Sequence, residues 1–132
     1  MIIGKDFWFS MGHTLHEHQG KCANLHGHNY KLQVVVESDS LNQLQMVMDF
    51  SELKEIVNGI VDEHYDHRFL VAEFDPRAEG LQQIDSTVVA VPYNPTAEMV
   101  AQAIKTSISD TLHSANLFKI VLWETENSYA EV

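Results

Sequence analysis

Two stretches of alternating polarity, two amphipathic stretches with helix-start signals, and a closing β-branched run predict an α+β fold of order β-β-α-α-β-β. The first strand is read over 5–15, where Phe7, Phe9, Met11 and His13 share one parity and Trp8, Ser10 and Gly12 the other. The second, over 28–37, alternates more cleanly. His28, Tyr30, Leu32, Val34 and Val36 face one way, Asn29, Lys31, Gln33 and Glu37 the other, with Val35 the apolar exception. Between them, His16 to Leu25 carries Gly20, polar residues and no period, so it reads as a loop, and Cys22 sits in it.

Asp49-Phe50-Ser51-Glu52 has the acceptor and the later Glu of a capping box. Leu53, Ile56, Val57, Ile60, Val61 and His64 follow at helical spacing. Residues 72–94 hold Pro76, Gly80 and Pro92 around Thr87-Val88-Val89-Ala90-Val91, a long irregular connection with one short strand. Asn94-Pro95 then supplies an N-cap with Pro at the first helical position. Met99, Val100, Ala103, Ile104, Ser107, Ile108 and Leu112 continue a helical stripe that ends near His113. Leu117 to Glu124 is the third strand, and Ser128 to Val132 a short closing one after a turn at Glu126-Asn127. A four-stranded antiparallel sheet with two helices on one face buries both stripes and leaves edge strands open to pairing between subunits.

The 132 residues make one domain, 1–132, with 45% hydrophobic and 20% charged residues. Eight Lys+Arg against nineteen Asp+Glu give 8 − 19 = −11, a field that repels nucleic acid and anionic membranes. No apolar run reaches the roughly 20 residues that span a bilayer, and Met1 to Asp6 lacks a signal-peptide layout. With a single cysteine there is no intrachain disulfide, so the expected setting is a soluble protein of the reducing cytoplasm.

Histidine is the outlying residue type. Five of eight (His13, His16, His18, His26, His28) fall within sixteen residues around Cys22. In His26-Gly27-His28 two imidazoles project to the same side of a strand entrance, and Gly27 permits close backbone approach. His13, at the far end of the preceding antiparallel strand, is the natural third. Three neutral histidines with a fourth position open compose a catalytic rather than a structural zinc site. Cys22 is then a fourth ligand, a buried inert thiol, or a nucleophile or base beside the metal, where Lys21 and the cation favour thiolate.

Cys22-Ala23-Asn24-Leu25-His26-Gly27-His28, preceded by Phe9-Ser10-Met11-Gly12-His13, resembles the 6-pyruvoyltetrahydropterin and 6-carboxytetrahydropterin synthase family. Its later motifs occur in order: Met48-Asp49-Phe50, Asp66-His67, Asn94-Pro95-Thr96-Ala97-Glu98 and Trp123-Glu124-Thr125. The resemblance implies the tunnelling fold, with twelve-stranded barrels per trimer and two trimers stacked into a homohexamer. It implies Zn2+ on His13, His26 and His28, polarising the side chain of the small-molecule substrate 7,8-dihydroneopterin triphosphate. It makes Cys22 the thiolate that takes a side-chain proton, and Asp66 the carboxylate that orients His67 for a second proton transfer. Glu124 falls on the pterin-anchoring glutamate, whose carboxylate accepts two hydrogen bonds, and Thr96 and Glu98 on a second segment of the pocket. The family pocket lies between subunits, so Glu124 and the histidines can come from different chains.

Three residues separate Cys22 from His26, the pattern of the bacterial 6-carboxytetrahydropterin branch of queuosine biosynthesis. That branch releases acetaldehyde and triphosphate. A pyruvoyl-type synthase, which eliminates triphosphate without carbon–carbon cleavage, and a noncatalytic zinc- or pterin-binding module are the alternatives. Thr14 departs from the family, which usually has arginine after the first zinc histidine, leaving Lys5, Lys21, Lys31 or Arg68 as local cations for the polyanion. His16 and His18 match no family role and are expected to be exposed loop residues.

Overall fold

The computed structural model describes residues 1–132. Strands β1 (Ile2–His13) and β2 (His26–Glu37) pair antiparallel over their whole length, from Ile2 opposite Glu37 to His13 opposite His26. The predicted parity holds: Phe7, Phe9, Met11 and His13 of β1 are buried, as are Tyr30, Leu32, Val34 and Val36 of β2. Helix α1 (Phe50–His64) buries Leu53, Val57 and Val61. Strand β3 (Phe69–Ala72), helix α2 (Ala78–Ile84) and strand β4 (Val88–Val91) follow, then helix α3 (Ala97–Thr111) and strands β5 (Asn116–Thr125) and β6 (Ser128–Glu131). Helices α1 and α3 pack on each other, α1 on β1 and α3 on β5 and β6. Full burial of side chains such as Leu32, Leu53, Ile104 and Ile120 holds these layers together, at roughly 1.5–3 kcal/mol each.

The four predicted strands form a contiguous antiparallel block, β1-β2-β5-β6, within a six-stranded sheet ordered β4-β3-β1-β2-β5-β6. The two outer strands are parallel: β3, which the sequence reading did not anticipate, joins β1 at Gly12–Phe69 and His13–Leu70, and β4, the short strand expected in the run Thr87–Val91, joins β3. Leu70, Val71 and Ala72 are all buried, so β3 reads as a plain apolar run without alternation. The seven-residue α2 buries only Ala78, too little for a periodic signal.

Both helix starts differ in detail from the sequence reading. Asp49 caps α1 by accepting from the Ser51 amide at 2.7 Å, but Glu52 does not complete the box; its carboxylate accepts from the Ser114 hydroxyl. Helix α3 starts two residues after Pro95, capped by Thr96, whose Oγ1 accepts from the Met99 amide at 3.3 Å. Asn94 is not a cap. Its carboxamide accepts from the His16 amide at 2.8 Å and donates to the His16 carbonyl at 2.9 Å, clasping the loop after β1. No helix is long and apolar enough to cross a membrane.

Candidate active site

The exact register of β1 with β2 sets His13 directly across from His26, and the two-residue period puts His28 on the same face. Ring centroids lie 4.5 Å apart for His13–His26, 5.2 Å for His13–His28 and 5.0 Å for His26–His28. One ligand-capable nitrogen from each falls within 4.8 Å of the others. The strands come this close because Gly27 has no side chain; a Cβ there would stand 3.0 Å from the Met11 carbonyl oxygen.

Backbone carbonyls fix two of the three tautomers. His13 Nδ1–H donates to the Pro95 carbonyl and His26 Nδ1–H to the Asn24 carbonyl, each at 2.8 Å. That leaves the Nε2 lone pairs free. The Nε2 atoms of His13, His26 and His28 are all buried without a hydrogen-bond partner. A buried orphaned polar atom costs roughly 1–3 kcal/mol, so three converging on one point call for a shared cation. Burial, the largest influence, holds His13 and His28 below the usual imidazole range against the opposing pull of Glu124, and His13 also against its bond to Pro95. Neutral imidazoles are the form that ligates a metal. The donor set fits a divalent cation.

Glu124, near the end of β5, belongs to this same centre. Its Oε1 lies 3.4 Å from His13 Nε2 and 3.7 Å from His28 Nε2, and it accepts from the Tyr30 hydroxyl at 3.4 Å. One chain therefore carries both Glu124 and the histidines, which corrects the expectation that they can come from different chains. Burial and the neighbouring carboxylate push the Tyr30 hydroxyl up, so it stays a neutral donor. Cys22, Thr96, Glu98 and Glu124 line one cleft of about 390 Å³, with Cys22 half-buried on the 3-10 turn Lys21–Ala23.

Asp66 and His67 lie elsewhere. Their side chains meet at 3.0 Å, the Ser10 amide donates to Asp66 Oδ1 at 3.0 Å, and the His67 amide donates to the Ser10 carbonyl at 2.7 Å. Burial opposes ionisation at Asp66, but the Ser10 amide and the His67 ring outweigh it and hold the carboxyl low. His67 takes a left-handed backbone (φ 57) and leaves its side chain 81% exposed, along a second cavity of about 420 Å³ with Ser10, Asn29, Arg68 and Thr87.

Thr14 is fully buried, its hydroxyl donating to the Ala23 carbonyl and accepting from Arg77. His16 is not an exposed loop residue: its ring packs half-buried against Phe74, 5.8 Å between centroids. His18 is exposed as expected, at the rim of the Cys22 cleft. Of the candidate cations, Lys31 pairs with Asp6 at 3.0 Å and lies over the Trp123 ring, whereas Arg68 lines the His67 cavity. Sequence reasoning missed Tyr30, Pro95, Asp75 and Arg77 as parts of the site. Pro95, inside the motif Asn94–Glu98, and Tyr30, on the His28 face of its strand, carried a signal; Asp75 and Arg77 carried none.

Fold and donor set define an α+β domain with a three-histidine candidate metal centre beside a cleft holding a thiol and two carboxylates. The chain belongs to the 6-pyruvoyl tetrahydropterin synthase family, matched over residues 2–132. It is 40% identical to the 6-carboxy-5,6,7,8-tetrahydropterin synthase of Haemophilus influenzae, covering 98% of this chain and 96% of that protein. It is 34% identical to the enzyme of that name from Aquifex aeolicus, covering 98% and 95%. An uncharacterized protein from Wolinella succinogenes superposes with a TM-score of 0.86 at 23% identity, covering 100% of this chain and 97% of that one. The 6-pyruvoyl tetrahydropterin synthase of Caenorhabditis elegans does so at 0.75 and 23%, covering 100% and 94%. The fold is thus the tunnelling fold of this family.

Proposed function

We propose that this pterin synthase is a zinc-dependent 6-carboxy-5,6,7,8-tetrahydropterin synthase. It converts 7,8-dihydroneopterin triphosphate and water to 6-carboxytetrahydropterin, acetaldehyde and triphosphate on the route to queuosine. The observation that carries the reading is the convergence of three orphaned Nε2 atoms beside a cleft that gathers Cys22, Thr96, Glu98 and Glu124. The names of the relatives and the three-residue gap from Cys22 to His26 favour the carboxy branch over the pyruvoyl one.

His13, His26 and His28 hold the zinc, which supplies Lewis acidity toward the hydroxylated side chain of the substrate. Glu124 accepts two hydrogen bonds from the pterin amino group and the adjacent ring N–H and so sets the ring's position; Thr96 and Glu98 line the same pocket. Cys22, as thiolate, takes the proton from the side-chain carbon. His67, oriented and charge-stabilised by Asp66, moves the second proton. Within one chain His67 lines a cavity that includes His28 but not Cys22, so the His67 serving a given Cys22 comes from a neighbouring copy in a homohexamer.

The test is incubation of zinc-loaded protein with 7,8-dihydroneopterin triphosphate, products identified by mass spectrometry with an acetaldehyde assay and Cys22→Ala alongside. Carboxytetrahydropterin with acetaldehyde, lost in the variant, is the expected outcome. Pyruvoyl product without acetaldehyde moves the chain to the other branch, and retained turnover in Cys22→Ala refutes the mechanism. Tight zinc without turnover leaves a binding module.

A further inference from the structure

The loop that carries Cys22 has little structure of its own. Its 3-10 turn is three residues long, closed by the Ala23 amide on the Gly20 carbonyl (3.1 Å) and the Asn24 amide on the Lys21 carbonyl (3.0 Å). So short a turn is not stable alone. Its remaining carbonyls are taken from outside: the Leu15 amide donates to the Cys22 carbonyl at 2.9 Å, and the Ala23 carbonyl accepts from two donors. One is the Thr14 hydroxyl at 2.9 Å. The other is Arg77 Nη1 at 2.8 Å, reaching across 54 residues from the segment between β3 and α2.

We propose that Arg77, aimed by Asp75 and relayed through Thr14, is a positioning residue for Cys22. The guanidinium uses every nitrogen: Nε donates to Asp75 Oδ1 at 3.0 Å, Nη2 to Asp75 Oδ2 at 2.7 Å and to Thr14 Oγ1 at 2.9 Å, and Nη1 to Ala23. Asp75 has a wholly buried side chain and also accepts from the Arg77 amide at 2.9 Å, so the pair is locked from both ends. A planar fork can hold a carboxylate, a hydroxyl and a carbonyl at once; an ammonium on a flexible stem cannot. Asp75 also neutralises the charge of Arg77. This cation therefore serves the loop and not a polyanionic ligand, even though it stands beside Thr14, where family members usually carry arginine. Holding the Ala23 carbonyl, one residue beyond Cys22, while the Leu15 amide holds the Cys22 carbonyl, fixes where the Cys22 Sγ enters the cleft it shares with Glu124.

The inference rests on the reading of Cys22 as the proton acceptor, and its test separates the two. Zinc-loaded full-length Arg77→Lys, Thr14→Val and the charge-balanced double variant Asp75→Asn/Arg77→Met are compared with wild type. The measurements are hydrogen exchange by mass spectrometry, zinc stoichiometry and steady-state kinetics. Exchange across Leu15–Leu25 should quicken about tenfold in Arg77→Lys and the double variant, with α1, β2 and α3 unchanged. The kcat should fall about 10- to 100-fold, as for a displaced reacting group, with KM and bound zinc held. Thr14→Val, which keeps the Arg77–Asp75 pair, should show a smaller change of the same kind. Wild-type behaviour in Arg77→Lys overturns the proposal, as does a loosened loop with unchanged kcat, or exchange quickened throughout the chain. A wild type without turnover overturns the function proposed above instead; the local exchange then still decides whether Arg77 fixes the loop.

Discussion

Metal removal is the perturbation that acts most directly on the three histidines. In the metal-free chain their Nε2 atoms are buried and unpartnered, a cost of roughly 1–3 kcal/mol apiece that a bound cation removes. A ligand that binds only the folded state adds about 4.1 kcal/mol when present at a thousand times its Kd. Unfolding entropy near 2.1 cal/mol/K per residue over 132 residues is about 0.28 kcal/mol/K, so zinc should raise Tm by about 15 °C. The assay is calorimetry at one protomer concentration, in chelator and then in excess zinc. His28→Ala is the control, because no backbone carbonyl is bonded to its ring, unlike those of His13 and His26. It should cut the zinc-dependent rise to less than about a third, since one of three ligands is gone. A wild-type melt indifferent to zinc, or an undiminished rise in His28→Ala, refutes the assignment of this cluster as the metal centre.

The metal-free protein should also be acid-sensitive in a defined window. Burial lowers His13 and His28 in the folded chain from 6.5, so below that pH the unfolded chain binds more protons. Stability is full above about 6.5 and falls on acidification toward the lowered values, by up to about 1.4 kcal/mol per pH unit per group; a flat urea midpoint between pH 7.5 and 5 contradicts this. Gly12→Ala drives a Cβ to 2.5 Å from Phe69 Cδ2, where β1 meets β3, and should cost about 1–3 kcal/mol in urea unfolding. Most of that loss should return in Gly12→Ala/Phe69→Ala relative to Phe69→Ala alone. Glu124→Gln keeps the shape but removes the charge from the pterin acceptor. It should raise KM at least about tenfold with zinc content unchanged, and a KM within twofold of wild type argues against the anchoring role.

What the sequence made legible follows from period and length. The long strands β1 and β2 alternate over their buried face, and α1 and α3 carry fifteen-residue stripes, so their faces were readable. Strand β3 lacks alternation because it is covered on both faces, and α2 is too short for a stripe. The histidine cluster was legible because strand register alone brings His13, His26 and His28 together. The supports of that cluster were not. Pro95 reaches His13 and Tyr30 reaches Glu124 through tertiary contacts, Arg77 holds the neighbouring Cys22 loop, and Asn94, whose neighbour Pro95 suggested a helix cap, spends its carboxamide on the loop backbone.

The division of the site between two cavities leads to a further prediction. Cys22 shares its cleft with Glu124, which touches His13 and His28, whereas His67 lines a cavity with Ser10, Asn29 and His28 that does not include Cys22. Asp66 and His67 are anchored to the backbone of Ser10 through the Asp66 carboxylate and the His67 amide, so a rotamer change alone does not carry the pair into the Cys22 cleft. If a neighbouring copy completes each site, Cys22→Ala and His67→Ala homo-oligomers are each inactive, yet a refolded equimolar mixture is not. A site then needs an intact Cys22 from one protomer and an intact His67 from another. Random assembly gives that combination in about a quarter of sites, and about a quarter of wild-type activity should return. A mixture as inactive as its parents, with mixed oligomers confirmed by native mass spectrometry, would show that both residues act from one chain. The anchoring of His67 at Ser10 would then have to release during turnover.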